Sequence, residues 1–360
     1  MSRLNYLLVS KSWSSHPRKF KLLEMSKILA FETSCDDTSV AVIDTNYHVY
    51  ANLISSQATH EDFGGVVPEL ASRLHMQNIM KVTEAALNKA GCTLTEIDAV
   101  AVSVNPGLIG ALLVGVSFAK GLAYSINKPL IAVNHMLGHI YANKIENADL
   151  EPPYLALVVS GGHTELVDFK AYDKFEIVGR TRDDAAGEAF DKVAKLLDLG
   201  YPGGPIIDRL AKQGNPDFEN FPRAMKGKDI FDFSFSGFKT SVRNYLESHS
   251  KEFINEHLSD ITASVQNAIV DSLVSKTINY AKKHSIKNII VAGGVSANSL
   301  LRSEMQKKVK KISVNVYFPS MQYCMDNAAM IGAAAVDKFE RKEFADLSLN
   351  AFSTKGVRFI

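Results

Sequence analysis

The chain has 360 residues, of which 46% are hydrophobic and 22% charged, a composition typical of soluble globular proteins. A net charge of +1 excludes a strong overall field toward nucleic acid or membranes, and three scattered cysteines without a CxxC pair favour a reducing compartment. Apolar runs fall short of the ~18–20 residues of a membrane span, so no transmembrane helix is predicted. The chain length predicts two domains.

The first 24 residues differ in composition from the rest. They are rich in serine and basic residues and contain one acid, Glu24. This bias is typical of a mitochondrial presequence, which would place the protein in the mitochondrial matrix. The alternative is a flexible or mis-annotated extension before Met25, which directly precedes a strong strand signal. We favour the extension and therefore expect a cytoplasmic protein.

The first half of the chain alternates strand and helix signals. Apolar, β-branched runs predict strands, and apolar residues spaced three or four apart predict helices. In chain order these are strands at 27–34, 38–45 and 47–56, a helix at 68–90, a strand at 97–107, a helix at 107–124, a strand at 130–135 and a helix beginning near residue 135. An acidic turn, Cys35-Asp36-Asp37, joins the first two strands.

The second half repeats this order. It opens with a predicted hairpin at 153–169, turning at Ser-Gly-Gly, and a third strand at 175–181. The following elements are a helix at 185–199, a helical and loop insertion at about 200–255, a helix at 264–284, a strand, glycine turn and helix at 288–309, a strand at 314–320 and a small-residue helix at 326–339.

Two similar α/β halves predict a duplicated ribonuclease-H-like fold, as in actin, sugar kinases and Hsp70, with a central cleft between two lobes. We expect residues 25–134 and 326–360 to form the first lobe and residues 135–325 the second. In such folds, turns that follow strands direct glycines and carboxylates toward a nucleotide.

Three glycine pairs follow predicted strands or precede helices: "SGGH" (160–163), "YPGGP" (201–205) and "AGGVSAN" (292–298). Glycine lets backbone N–H groups approach a phosphate, although turns also need glycine. Neither a GxxxxGK[ST] motif nor a strand-linked GxGxxG motif occurs, which disfavours the P-loop and Rossmann classes.

The segment "NHMLGH" (134–139) contains two histidines four residues apart. His135 and His139 would share one helix face and could hold one zinc or iron ion, with a third ligand from elsewhere; polar packing is the alternative. Met136 stands where the HExxH metalloproteases carry their glutamate base, so protease chemistry is disfavoured. Asp36 and Asp37 could hold a metal–phosphate group or orient a nucleophile, or could simply form a hairpin turn.

Seven ordered segments together resemble one family. The runs "ETSCDDT", "NHMLGH", "LVVSGGHTEL", "DDAAGEAFDKVAKLLDLGYPGGP", "FSFSGFKT", "VAGGVSAN" and "YCMDNAAMIG" are similar to the tRNA N6-adenosine threonylcarbamoyltransferases of the bacterial TsaD type. The resemblance runs from about Lys27 to about Phe339. It implies an actin-like fold and transfer of threonylcarbamoyl from threonylcarbamoyl-adenylate to N6 of adenosine 37, in tRNAs reading codons that begin with A.

The resemblance also implies roles for particular residues. The metal ligands would be His135, His139 and Asp326, holding one divalent ion, with Fe²⁺ favoured and Zn²⁺ as the alternative. The substrate-binding residues would be Val159, Ser160, Gly161, Gly162, His163, Asp191, Gly204, Asp208 and Asn298. Asp36 and Asp37 match an acidic turn in which some members have glutamate second, and either could take the amine proton. Asp326 heads a predicted helix, where an N-cap is its alternative role.

Partners follow from the same resemblance. Besides tRNA and threonylcarbamoyl-adenylate, bacterial members work with a paralogue that forms a heterodimer and with a small ATPase, whereas a mitochondrial branch works alone. Residues 238–244 and Gln306 to Lys311 are candidate tRNA contacts, or solvated helix faces. The rival functions are a small-molecule kinase or ATPase of this fold, a non-catalytic assembly subunit, and the older protease interpretation.

Overall fold

The computed structural model describes residues 25–57, 66–172, 174–227 and 229–352. The predicted extension or presequence at residues 1–24 lies outside these ranges. The first sheet contains β1 (Lys27–Glu32), β2 (Thr38–Asp44), β3 (Val49–Ser55), β4 (Ala99–Asn105) and β5 (Leu130–Asn134). The second contains β6 (Tyr154–Val159), β7 (Thr164–Ala171), β8 (Lys174–Arg180), β9 (Asn288–Ala292) and β10 (Asn315–Tyr317).

The two sheets have the same topology. The strand order is β3-β2-β1-β4-β5 in the first and β8-β7-β6-β9-β10 in the second. In each sheet the first three strands pair antiparallel, and the last two join in parallel. The predicted duplicated α/β fold is therefore confirmed. The division into lobes at residues 134/135 and 325/326 stays a prediction.

The helices lie on both faces of each sheet. They are α1 (Pro68–Ala90), α2 (Ile109–Ser125), α3 (His135–Tyr141), α4 (Ala186–Leu196), α5 (Gly203–Ala211), α6 (Ser236–Glu247), α7 (Lys251–Glu256), α8 (Leu258–Lys283), α9 (Ser299–Lys310) and α10 (Ala328–Glu340). Within the described ranges, none is long and apolar enough to cross a membrane. The predicted helix at 264–284 begins six residues earlier, at Leu258, and the strand predicted at 314–320 is shorter, at Asn315–Tyr317.

Burial on both faces explains why the central strands read as continuous apolar runs. All seven residues of β2 and all seven of β4 are buried. Helices α1 and α2 cover the outer face of the first sheet, and α4, α5, α8 and α9 pack on the second. A strand covered on both sides has no solvent face, so its sequence need not alternate.

Helices α3 and α10 share one apolar core with the inner faces of both sheets. The small residues of α10 permit this close packing. A Cβ added at Gly332 would lie 2.5 Å from Cγ2 of Ile43 on β2, so the Ile43 side chain or one of the two elements would have to shift to accommodate it. The carboxyl ends of β1, β5, β6 and β9 consequently meet across one cleft, the usual ligand position in open α/β sheets.

Candidate metal centre and substrate cleft

The two histidines lie on one face of α3, as their spacing predicts. The helix begins at His135, directly after β5, and the side chain of Asn134 caps it by accepting the Leu137 N–H at 3.1 Å. The ring centroids of His135 and His139 are 4.6 Å apart. Both side chains are buried, with 7% and 1% exposure. The histidines therefore face inward at the floor of the cleft.

Asp326 approaches both histidines from the far end of the chain. Its Oδ1 lies 3.1 Å from Nε2 of His139 and 3.5 Å from Nε2 of His135. Helix α10 begins only at Ala328, and the side chain that caps it is that of Asn327, which accepts the Met330 N–H at 3.1 Å. The alternative role of Asp326 as the helix N-cap is therefore wrong, and its carboxylate is free to turn toward the histidines.

The donor set fits a divalent metal ion. One ligand atom from each of His135, His139 and Asp326 lies within 4.8 Å of the others. Both ring nitrogens of His139 are buried, and neither has a hydrogen-bond partner within the described residues. Its Nε2 lies 3.1 Å from the Asp326 carboxylate, which belongs to the same donor set. A buried, unsatisfied imidazole is costly unless a ligand completes it, and two nitrogens with one carboxylate suit iron or zinc.

The electrostatics favour the metal-binding forms of two of these groups. Burial would raise the pKa of the Asp326 carboxyl, but His135 and His139 hold it well below its ordinary value. Burial lowers the pKa of His139. An ionised carboxylate and a neutral imidazole are the forms that coordinate metals. Burial would also lower the pKa of His135, yet the charges of Glu32 and Asp326 raise it to about 9.

Glu32, which the sequence reasoning did not single out, orients His135. It ends β1 and is fully buried. Its Oε2 lies 2.9 Å from Nδ1 of His135, and its Oε1 accepts the Ser34 N–H. The Ser34 hydroxyl is also 3.1 Å from that Nδ1. The available signal was a glutamate closing the otherwise apolar run "ILAFE". A carboxylate at Nδ1 leaves Nε2 as the ligand atom.

The acidic turn between β1 and β2 lies beside this centre. Cys35, Asp36 and Asp37 are half-buried. The buried ring of His75, on α1, hydrogen-bonds both sides of the turn. Its Nδ1 is 2.8 Å from the Thr38 hydroxyl, and its Nε2 is 3.0 Å from the Cys35 carbonyl oxygen. The fold therefore gives the turn a fixed path beside the candidate metal ligands.

Asp37 carries a perturbed carboxyl group. Burial raises its pKa to about 6, opposed by a hydrogen bond with Ser56 and reinforced by the charges of Asp36, Asp326 and Glu32. The interaction with Asp326 and Glu32 shows that the turn and the ligand set share one electrostatic environment. A raised acid pKa means that ionising Asp37 costs stability.

Replacing Asp37 with asparagine is expected to stabilise the fold at pH 7. Because the folded pKa of about 6 exceeds the ordinary 3.8, the folded state resists ionisation, and stability falls as pH rises from about 4 to 6. Removing the charge should raise the unfolding free energy by about 1–3 kcal/mol above pH 6 and leave it unchanged below pH 4. Denaturant melts from pH 3.5 to 8, with a chelator present, check this; a gain that persists at pH 3.5 contradicts it.

The glycine loop after β6 faces the cleft. Ser160 N–H donates to the His163 carbonyl at 2.8 Å, and His163 N–H donates to the Ser160 hydroxyl at 3.2 Å. Gly161 and Gly162 are exposed, and a Cβ at either would meet no described residue within 4 Å. Packing therefore does not explain the glycines. His163 helps to lower the pKa of Asp326, so the loop lies near the ligand set.

Two other glycine segments pack directly on this loop. The N–H of Gly187, in α4, donates to the Ser160 carbonyl at 3.2 Å. Gly293 has φ +86°, and an added Cβ would lie 2.4 Å from the Val159 carbonyl oxygen. The segments "SGGH", "AAGEA" and "AGGVSAN", far apart in the chain, thus form one surface.

Replacing Gly293 with alanine should destabilise the fold by about 2–4 kcal/mol, because the left-handed backbone and the clash with Val159 both oppose a side chain. The same change at Gly121, in α2, is the control: its Cβ would meet no described residue within 4 Å. That variant should gain up to about 1 kcal/mol from helix propensity. Equal melting curves for the two variants would contradict the prediction.

The remaining predicted substrate residues lie where helices join. Asp191 Oδ1 accepts the Gly203 N–H at 2.8 Å, and burial raises the pKa of its carboxyl despite bonds from the Gly203 and Gly204 N–H groups. Asp208 Oδ1 accepts the N–H and hydroxyl of Ser299 at 3.1 and 2.7 Å. These carboxylates hold α4, α5 and α9 together around the glycine surface.

Asn298 has a similar structural role. Its Oδ1 caps α9 through the Leu301 N–H at 3.0 Å, and its amide donates to Gln266 Oε1 at 2.8 Å. Tyr201, to which the sequence reasoning gave no role, lies within electrostatic range of the acidic turn. Burial, followed by the charges of Asp191 and Asp36, raises its pKa to about 12. Tyr201 is therefore close enough to both Asp191 and the acidic turn to feel their charges.

Comparison with known proteins agrees with this geometry. A family model described as TsaD, tRNA N6-adenosine threonylcarbamoyltransferase, matches residues 48–333. The Clostridium beijerinckii protein of that name is 52% identical over 325 residues, which is 90% of this chain and 96% of its own.

Solved structures resemble the fold at low identity. T. kodakarensis HypF is 14% identical, with a TM-score of 0.60 over 89% of this chain and 48% of its own. The Clostridium difficile activator of 2-hydroxyisocaproyl-CoA dehydratase, solved with bound ADPNP, is 12% identical, with a TM-score of 0.50 over 89% of this chain and 98% of its own. These two matches support the fold alone, whereas the family model and the 52% identical relative identify the family. The chain belongs to the tRNA N6-adenosine threonylcarbamoyltransferases, a family of acyltransferases that act on tRNA.

Proposed function

We propose that this chain transfers threonylcarbamoyl from threonylcarbamoyl-adenylate to N6 of adenosine 37, in tRNAs reading codons that begin with A, with release of AMP. The observation that carries this proposal is the adjacency of the His135, His139 and Asp326 cluster to the open glycine loop at 160–163. A phosphate-binding surface beside a metal-binding set suits an acyl-phosphate donor.

The donor would bind along the glycine surface. In this proposal the backbone from Val159 to His163 receives the adenylate, because its exposed glycines leave N–H groups open to a phosphate. The other proposed substrate residues are Asp191, Gly204, Asp208 and Asn298. Their hydrogen bonds to neighbouring helices support a role in shaping the pocket as well as in contacting the ligand.

The chemistry then requires orientation more than activation. The N6 amine attacks the carbamoyl carbon, a C–N bond forms, the C–O bond to phosphate breaks, and AMP leaves with that electron pair. The donor is already a mixed anhydride, so no water-activating base is needed, and Met136 in place of a protease glutamate is compatible with the reaction. Holding both substrates in position can contribute ~7–11 kcal/mol to such reactions.

The amine proton needs an acceptor. We propose Asp37, with Asp36 as the alternative, because a carboxyl pKa of about 6 is close to the working pH of a general base. When bound to His135, His139 and Asp326, one divalent ion, with Fe²⁺ favoured over Zn²⁺, would supply Lewis-acid stabilisation of negative oxygen. A paralogous partner and a small ATPase are proposed as further components.

A reconstituted transfer assay tests the proposal. The purified chain, synthetic donor, Fe²⁺ or Zn²⁺ and unmodified tRNA are combined with and without candidate partners, and modified nucleoside is measured by mass spectrometry after digestion. The expected result is one threonylcarbamoyl group on adenosine 37 per tRNA, with stoichiometric AMP. ATP turnover with a small acceptor and no tRNA product would instead support a kinase of the same fold.

A further inference from the structure

Seven exposed lysines are concentrated at one end of the second sheet and its helices. We call this surface the lysine end; its members are Lys282, Lys283, Lys287, Lys307, Lys308, Lys310 and Lys311. The segments 279–288 and 303–315 that carry them contain one acid, Glu304. Because the whole chain has a net charge of only +1, this is a pronounced local excess of positive charge.

The two lysine segments are neighbours in space. Helix α8 ends at Lys283 just before β9, and α9 ends at Lys310 just before β10. Strands β9 and β10 start side by side, since Asn288 pairs with Asn315. The Asn315 N–H also donates to the Lys287 carbonyl oxygen at 2.9 Å. Both helix ends and both connecting turns therefore form one surface.

Local structural needs do not account for this many lysines. Lysine is favoured at a helix C-terminus, but each helix end carries a partial charge of only about −0.5. About one positive charge would therefore balance the two helix ends, whereas this surface carries seven lysines. Among the described residues, the ion pairs at this surface are Lys283 with Asp229 at 2.6 Å and Lys307 with Glu304 at 3.1 Å. The surplus charge points outward to a partner.

Helix α9 links this surface to the substrate cleft. It begins after Asn298, beside the glycine surface, and carries four of the lysines in or just after its last turn. Twelve helical residues span about 18 Å. A single-stranded loop could therefore enter the cleft while the adjoining double-stranded stem reaches the lysines. Proteins read RNA in this way, with bases taken from loops and stems held through phosphates and shape.

We propose that the lysine end binds the phosphate backbone of the tRNA stem adjoining the modified nucleotide. This inference rests on the proposed function for the choice of RNA and extends it by assigning a second, sequence-independent contact surface. Lysines hold phosphates as mobile point charges and release counterions, so the contact adds affinity without reading bases.

The test uses a triple variant, Lys287→Gln, Lys308→Gln and Lys311→Gln, with Lys174→Gln, Lys251→Gln and Lys342→Gln as a matched control of equal charge. Glutamine retains helix propensity, and melting curves check the fold. Binding of unmodified tRNA is measured at several salt concentrations. We expect a 10–100-fold weaker Kd for the first variant, and a salt slope reduced by about 2–3, since each phosphate contact contributes roughly 0.7–0.9. The control should match wild type.

Transfer kinetics separate this inference from the proposed function. For the lysine-end variant, KM for tRNA should rise 10–100-fold while kcat and donor binding stay unchanged. Wild-type tRNA affinity and salt slope in that variant would overturn the inference while leaving transfer intact. Equal losses in the control triple, or loss of binding to anionic vesicles with tRNA binding unchanged, would also overturn it. Tight, lysine-dependent tRNA binding without transfer would instead retain the surface and reject the proposed reaction.

Discussion

Replacing His139 with alanine is expected to abolish stoichiometric binding of a divalent metal ion and, with it, threonylcarbamoyl transfer. Among the described residues, the close polar neighbour of the buried His139 ring is the Asp326 carboxylate, 3.1 Å from Nε2, which belongs to the same ligand set. Removing the ring therefore costs a ligand rather than a bond that holds the fold together. Two donors, His135 and Asp326, would remain, too few for a stable protein site. Transfer should fall by about 10²–10³-fold, the range seen when a group stabilising oxyanion charge is lost.

The measurement is metal content by elemental analysis after dialysis against a weak chelator, together with transfer in the reconstituted assay. His48→Ala serves as the control, because His48 is an exposed histidine in the β2–β3 turn, far from the cleft. That variant should keep one metal per chain and full activity. One equivalent of tightly held metal in the His139 variant would contradict the assignment of the ligand set.

The regular elements of the fold follow from local physics that is legible in the sequence. Strands β2 and β4 are apolar throughout because helices cover both faces, and a short apolar run bounded by polar turns predicts such a strand. The start of α8 was missed by six residues because Leu258 and Ile261 lie outside the strongest part of the apolar pattern. Helix ends depend on capping and packing, which periodicity does not report.

The site was predictable only where spacing within one element is sufficient. His135 and His139 are four positions apart, and a helix places residues at that spacing next to each other on one face. Asp326 could not be placed from the residues alone, because its partners are almost two hundred positions away and Asn327 beside it is an equally good cap. Glu32 could not be identified from the sequence for the same reason. It contacts His135 because the carboxyl end of β1 lies beside the start of α3 in the folded chain.

Duplication explains why these distant residues converge. In each sheet the first and fourth strands are parallel neighbours, so their carboxyl ends face the same side. Glu32 ends β1 and Val159 ends β6, the equivalent strand of the second sheet. The end of β1 in the first sheet thus contributes the carboxylate that contacts the ligand His135. The end of β6 in the second sheet contributes the start of the glycine loop. The same strand arrangement, present in both sheets, therefore supplies the metal-ligand side of the site from one sheet and the glycine-loop side from the other.

Replacing Glu32 with glutamine should weaken metal binding by about 10–100-fold, the usual cost of losing a carboxylate behind a histidine ligand. The carboxylate fixes the tautomer of His135 and raises the electron density of the ring, and a neutral amide does neither reliably. Glutamine has nearly the same volume, so the fold should persist. Ser34→Ala, which removes the weaker contact to the same Nδ1, should lower metal affinity by less.

Competition with a chelator of known affinity measures the effect without depending on activity, and Asp168→Asn is the matched control. Asp168, on β7, is also a buried carboxylate, and it accepts a hydrogen bond from the Tyr280 hydroxyl at 2.8 Å. It is not part of the ligand set. Asp168→Asn should reduce stability and leave metal affinity unchanged. Glu32→Gln should reduce metal affinity and leave the fold intact. If both variants lost metal equally, Glu32 would act through general stability. If Glu32→Gln kept wild-type affinity, the orientation of His135 would have to come from the helix and Asp326 alone.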